Sequence, residues 1–264
     1  MDSSTPGPGR QPLTAAAPRP SAVVAGRSAA CRGLGARLAG VTDGPSDRLT
    51  VLVFGASGMV GQGVLRECLR DERVAEVRVV VRRPLDLAHP KLRQVVVEDL
   101  AQPGEHLAGV DATFDSVGVS STGMREPQYR RLTHDLTLGI ARAVADASPG
   151  SAFVYVSGQG TDRDGRLMWQ RVKGETEDAV AALPLRTWLF RPGVIQPLHG
   201  IRTKTRLYGA LYAVLRPVFP LLRRLAPDQV TTTEAVGRAM IAAVTGGAPE
   251  RVVTSRDVNA LAAR

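Results

Sequence analysis

Gly55, Gly58 and Gly61 stand three residues apart in the run Gly55-Ala56-Ser57-Gly58-Met59-Val60-Gly61. Glycines of this spacing act through the side chains they lack. The first permits a tight turn, the second lets the backbone approach a pyrophosphate, and the third lets a helix pack close to a sheet. A helix opening inside the run turns its unpaired amides and the positive end of its dipole on the phosphate charge. Ser57 adds a hydroxyl donor. All seven residues, including Ala56, Met59 and Val60, are therefore candidate contacts to a dinucleotide.

The ligand is narrowed about 20 residues further on, where an acid would hold the ribose 2′-hydroxyl of NAD. That place holds Arg82 and Arg83, followed by Pro84. Two guanidiniums suit a 2′-phosphate, which they grip bidentately, so NADP(H) is favoured over NAD(H). The structural alternative is chance, because arginine is abundant throughout the chain. Asp99, with Leu100 beside it, is placed to meet the adenine amino group. Ser116, Val117 and Gly118 are placed to pass beneath the ribose on the nicotinamide side.

These placements require particular elements. Leu49–Phe54 is a short apolar, β-branched run of the kind that forms a buried parallel strand. After the glycine turn, Val60, Val64, Leu65, Cys68 and Leu69 recur at helical spacing. Further strands are predicted over Val77–Val81, Gln94–Val97, Val110–Val117, Ala152–Val156 and Thr187–Phe190. Helices are predicted over Tyr129–Ala147, with Leu132, Leu136, Ile140 and Val144 four apart on its apolar face, and over Leu167–Ala182. Alternating strands and helices give an α/β fold, a Rossmann-type doubly wound parallel sheet. Residues 1–48, rich in Pro, Gly, Ala and Arg without periodicity, read as a disordered extension. They are Arg-rich and acid-poor, as a transit peptide is, and a misassigned start fits them equally. The dinucleotide-binding domain then spans 49–264. It includes a small C-terminal helical lobe at about 197–230. Thr231-Thr232-Thr233-Glu234 reads as a capped start of a helix Ala235–Val244, with a last short strand at Val252-Val253.

Four stretches together, VLVFGASGMVG, YVSGQGTD (Tyr155–Asp162), WQRVKGETE (Trp169–Glu177) and FRPGVIQP (Phe190–Pro197), resemble an atypical short-chain dehydrogenase/reductase. Within that class the chain is most similar to the Tat-interacting-protein-like NADP-binding subgroup, often labelled NAD-dependent epimerase/dehydratase proteins. The likeness covers about residues 50–200. It implies a Ser, Tyr and Lys set: tyrosine protonates a carbonyl reduced by hydride, lysine binds the ribose and lowers the tyrosine pKa, and serine steadies the oxyanion. Ser157 matches the serine and Lys173 the lysine. Pro192, Gly193 and Val194 match the loop that contacts the nicotinamide amide, and Arg191 reads as a structural ion-pair partner.

The tyrosine position holds Trp169, whose indole only donates and keeps its proton near neutral pH. Three readings stay open. Tyr129, His134 or water gives the proton; or the protein binds NADPH without turnover as a regulator or scaffold; or it acts on an unusual substrate, a nucleotide-sugar epimerase or dehydratase reaction among them. Trp169 is either a packing residue or a surface that stacks on ligand. The expected activity is hydride transfer to or from a small carbonyl or alcohol.

Charge and composition exclude rival classes. The chain carries a formal +9, but its basic residues are scattered among acids, so no nucleic-acid stripe is expected. Cys31 and Cys68 form no metal or redox spacing, and His134 and His199 no metal motif. A reduced, cytoplasmic protein without a metal is expected. Leu207–Leu222 is the most apolar stretch. It is broken by Arg216, Pro217 and Pro220, too short to span a bilayer. It reads as a packed helix pair, a lid over a hydrophobic substrate, or a peripheral membrane contact.

Overall fold

A computed structural model describes residues 48–201 and 228–264, together with Phe219, Arg224 and Ala226. The expected extension at residues 1–47, Cys31, and most of the 197–230 lobe with its apolar segment lie outside the described residues.

Seven parallel strands form one sheet: β1 (Leu49–Phe54), β2 (Val74–Val81), β3 (Leu92–Val96), β4 (Ala112–Asp115), β5 (Ala152–Val156), β6 (Arg186–Arg191) and β9 (Val252–Thr254). Their order is β3-β2-β1-β4-β5-β6-β9, so the chain reverses its direction of winding between β1 and β4. That crevice, at the strand carboxyl ends, is where doubly wound sheets bind ligands. The register places Phe54 beside Asp115 and Asp115 beside Tyr155.

Both faces of the sheet are covered, which is why β1 reads as an unbroken apolar run. Val51 and Val53 join a core with Val64, Leu65 and Cys68 of α1 (Met59–Arg70) and with Met240 and Ile241 further along the chain. Leu52 and Phe54 point the other way, to a core with Ile140, Val144 and Val180. Cys68 is plain core, its thiol pKa raised by burial.

The long helix predicted over Tyr129–Ala147 departs from expectation. It is made of α2 (Glu126–Arg130), a π-helical turn over Arg131–Asp135, and α3 (Leu136–Ala147). The wider turn shifts the inward face. Leu132, expected inside with Leu136, is 37% exposed, while Thr133 beside it is buried. Tyr129 and Thr133 face the core instead. α4 (Met168–Ala181) packs beside α3.

Two features escaped the pattern reading. β7 (Val194–Gln196) pairs in parallel with β8 (Val230–Thr232), a separate two-stranded sheet of three residues each. The last helix, α6 (Ser255–Ala262), opens on a reciprocal cap between Thr254 and Asp257. The preceding helix α5 (Thr233–Gly246) starts as predicted, with the Thr232 hydroxyl accepting from the Ala235 amide.

Candidate active site

The turn after β1 is closed on itself by backbone alone. Gly55 has φ +76°, and the Gly58 amide donates to the Gly55 carbonyl at 2.8 Å. A Cβ at Gly61 would stand 2.0 Å from that same carbonyl oxygen, and one at Gly55 would stand 2.7 Å from the Ser116 carbonyl. Side chains at either position would force β1, α1 and the β4 loop apart. Gly58 caps α1 without any side-chain bond, so the first amides of the helix keep their donors.

Two cavities flank this turn. One, of about 740 Å³, is walled by Gly58, Met59 and Val60 of the turn, Ser116–Ser121 after β4, Ser157 after β5, Trp169 and Lys173 of α4, and Pro192–Ile195 after β6. The other, of about 1120 Å³, takes in Ala56, Ser57, Arg82 and Arg83, with Arg66 and Arg70 of α1. Arg82 and Arg83 are exposed, and neither forms an ion pair among the described residues. Asp99 and Leu100 border neither cavity. Asp99 is engaged locally, accepting from the Ala101 amide at 2.9 Å and the Gln102 side chain at 3.0 Å. Leu100 packs against the core beneath α3.

Ser157, Lys173 and Trp169 are brought together on one wall. Lys173 Nζ donates to the Ser157 carbonyl. Burial lowers the Lys173 pKa to about 8, against the pull of the Glu177 charge. The Ser157 hydroxyl is already engaged: it donates to Glu177 Oε1, with the Phe190 carbonyl 3.2 Å away. Glu177 is 2% exposed and is gripped by Arg191, whose Nε lies 3.0 and 3.2 Å from its two oxygens. Arg191 is thus an ion-pair partner, as read from the sequence. Glu177 was missed, although its place four residues after Lys173 puts both on one helix face. A hydroxyl has a single proton, so while Ser157 donates to Glu177 it cannot donate to an oxyanion. The Trp169 ring packs over the turn at Gly160, where a Cβ would lie 3.1 Å from the indole.

Of the proton-donor candidates, Tyr129 lines the same cavity and is 1% exposed, burial raising its pKa. His134 does not border it; its Nδ1 lies 2.8 Å from Asp135 Oδ1. His199 contacts Glu234 Oε2 at 2.6 Å in an exposed loop.

The sheet order is that of the short-chain dehydrogenase/reductase fold. Two solved structures show the likeness. A short-chain dehydrogenase from Burkholderia cenocepacia, in complex with NADP, superposes with TM-score 0.53 and 18% identity over 78% of this chain and 87% of that one. The enzyme WbmF from Bordetella bronchiseptica, in complex with NAD+, gives 0.55 and 16% over 81% and 77%. The chain belongs to the Fmp52 family. It is 31% identical to the mitochondrial protein fmp52-1 of Aspergillus terreus over 167 residues, 60% of this chain and 70% of that one. It spans about two thirds of the length of the curated relatives it matches. No protein-family profile matches the chain. The expectation of a cytoplasmic protein is corrected here, because the Fmp52 relatives are named mitochondrial. Among the described residues no helix is long and apolar enough to cross a membrane.

Proposed function

We propose that this chain is an NADP(H)-dependent oxidoreductase that reduces a small carbonyl or oxidises the matching alcohol. The observation that carries the reading is a single cavity shared by the glycine turn and by Lys173 and Ser157. A turn that tolerates no Cβ at Gly55 or Gly61 and keeps its helix amides uncapped fits a pyrophosphate. The cofactor-contacting set is Gly55–Gly61, Ser116–Gly118, Lys173 and Pro192–Val194, with Arg82 and Arg83 on a 2′-phosphate. Bound there, the reduced nicotinamide supplies hydride. Lys173 holds the ribose, and its charge, present below about pH 8, draws negative charge toward it.

The test is direct. Purified protein is titrated with NADPH and NADH, then offered NADPH with a panel of aldehydes and ketones. NADPH bound at least tenfold more tightly, and oxidised in a carbonyl-dependent way that Lys173→Ala abolishes, is the expected result. Equal affinities that Arg82→Ala and Arg83→Ala leave unchanged would remove the NADP preference.

A second reading, a dinucleotide-binding regulator without turnover, is favoured by two observations. Indole occupies position 169, and Ser157 spends its proton on Glu177. Tight NADPH binding with no oxidation by any carbonyl supports that reading against the first.

A further inference from the structure

Behind the cavity wall lies a second polar group of residues that the proposed chemistry leaves unused. Asp115 ends β4 and Tyr155 stands directly beside it on β5. Both are fully buried on the α3 and α4 side of the sheet. Asp115 Oδ1 accepts from the Val117 amide at 2.8 Å, but Asp115 Oδ2 and the Tyr155 hydroxyl complete no hydrogen bond, although Thr176 lies near enough to the Tyr155 phenol to favour its charged form. The Thr133 and Thr137 hydroxyls, on the π-helical turn and on α3, likewise complete no bond, with Thr133 near enough to the Tyr129 phenol to favour its charged form. Thr137 lies near enough to Asp115 to favour its charged form without completing a bond. Asp115, Tyr129 and Glu177 all lie within electrostatic reach of the Tyr155 hydroxyl.

Buried polar atoms are nearly always bonded. Four orphans brought together in one core call for a physical reason. Hydroxyl and carboxyl groups set side by side in a dry core have a chemical use, because each can take a proton on one side and give one up on the other. Tyr129, within electrostatic reach of Tyr155, borders the cavity as well. The π-helical turn makes this possible, since such turns insert a residue and are frequent at functional sites. Here Thr133 of the turn is buried where the sequence pattern placed Leu132, on the same side as Tyr129 of α2.

We propose that Tyr129 is the proton donor of the cavity, and that the Asp115 carboxyl, acting through the Tyr155 hydroxyl, restores the proton that Tyr129 gives up. The proposal rests on the reductase reading above. The balance is simple. A reduced nicotinamide held in the cavity would supply hydride to the carbonyl carbon, and the Tyr129 O–H would break as its proton joined the carbonyl oxygen. Tyr155 passes its own proton to the Tyr129 phenolate and takes one from Asp115, which regains its proton from solvent. The indole at 169 then needs no acidity, and Ser157 remains with Glu177.

The relay works while Asp115 is protonated. Burial, the largest influence, raises its pKa to about 7, against the Val117 amide and Thr137, which lower it. The titratable groups facing the relay are Tyr129 from α2, Tyr155 from β5 and Glu177 from α4. The kcat for carbonyl reduction therefore falls as pH rises through about 7, and a separate loss near 8 belongs to Lys173.

The experiment combines Tyr129→Phe, Asp115→Asn and infrared spectroscopy of the full chain. Tyr129→Phe is expected to keep the NADPH Kd within about twofold while kcat falls at least about 100-fold, the scale of general acid catalysis. Asp115→Asn is expected to erase the limb near pH 7 and leave the one near 8. Without any turnover, a protonated-carboxyl band should vanish between pH 6 and 8, about Asp115's raised pKa of about 7, and be missing in Asp115→Asn. Should Tyr129→Phe fail to fold, 3-fluorotyrosine replacing Tyr129 keeps the shape and should alter the solvent isotope effect on kcat. Wild-type kcat in Tyr129→Phe, or in the fluorinated protein an unchanged isotope effect, overturns the donor. A missing carboxyl band, or an unchanged profile in Asp115→Asn, overturns the relay. A wild-type protein that binds NADPH and reduces no carbonyl overturns the reductase reading and the donor together, which the variants alone would not do.

Discussion

The two sides of the crevice are built on opposite principles. The cradle side, β1 to α1, is backbone: three glycines, uncapped amides, and no side chain that must be oriented. The far wall is side chains assembled from β4, β5, α2, α4 and β6, each held by another. Ser157 is held by Glu177, Glu177 by Arg191, and Lys173 by the Ser157 carbonyl. A cradle of this kind depends on clearance, and a wall of this kind depends on mutual pairing. Removing a group from the wall should therefore cost fold stability, whereas adding one to the cradle should cost binding.

The largest effect is expected on the wall. Glu177→Ala leaves the Arg191 guanidinium unpaired and frees Ser157. Breaking a buried pair by removing one partner costs about 3–5 kcal/mol. Arg191 is 32% exposed, so the lower end, about 3 kcal/mol, is expected in denaturant unfolding. NADPH affinity should change much less than tenfold. A loss of binding with unchanged stability would reverse the assignment of the two sides.

On the cradle, Gly61→Ala places a methyl 2.0 Å from the Gly55 carbonyl oxygen. The turn must open, and NADPH affinity should fall by roughly 100-fold, about 2.7 kcal/mol, in calorimetric titration. Overpacking of this kind also costs about 1–3 kcal/mol of stability.

Asp115 tests the interior between the two. Its folded pKa is raised to about 7 from an ordinary 3.8, so between those values the folded protein binds the extra proton. Its contribution is fully present below pH 3.8 and is lost as pH rises through about 7. Asp115→Asn removes that loss. Relative to the wild type, the variant should gain stability steadily as pH rises from about 4 to about 7, with no further gain above. Parallel stability curves for the two proteins would mean that Asp115 is not buried as a neutral acid.

The same division explains what was legible in the sequence. The order of strands and helices along the chain, and the glycine turn, follow from local spacing, and local spacing is what a sequence displays. Asp99 looked like a ligand contact because it ends a predicted strand, yet its carboxylate is spent on Ala101 and Gln102. Leu132 looked like core because the helical period was assumed unbroken, and one π-helical turn moved it to the surface. Glu177 carried a readable cue, its spacing from Lys173 on α4, but its partner Arg191 ends the strand β6. β7 and β8 pair across more than thirty residues with three-residue strands, too short to display alternation. Pairings made through tertiary structure leave no period to read.

Arg82 and Arg83 sharpen the cradle side further, because they act by charge rather than clearance. Arg82→Ala with Arg83→Ala should weaken NADPH by about tenfold, about 1.4 kcal/mol, and leave NADH within about twofold. Both side chains are exposed, so the loss should shrink at high salt.

Trp169→Tyr is expected to change least. The indole packs over the turn at Gly160, and a phenol of smaller volume keeps part of that contact. If Tyr129 delivers the proton, a second phenol at 169 is redundant, and kcat for carbonyl reduction should move by about twofold or less. The double variant Trp169→Tyr with Tyr129→Phe separates the alternatives. Where Tyr129 is the donor, the phenol at 169, four residues before Lys173, restores part of the activity that Tyr129→Phe loses. A large rise in kcat from Trp169→Tyr alone, measured as NADPH oxidation with the same carbonyl, would mean that the wall lacks a donor as it stands.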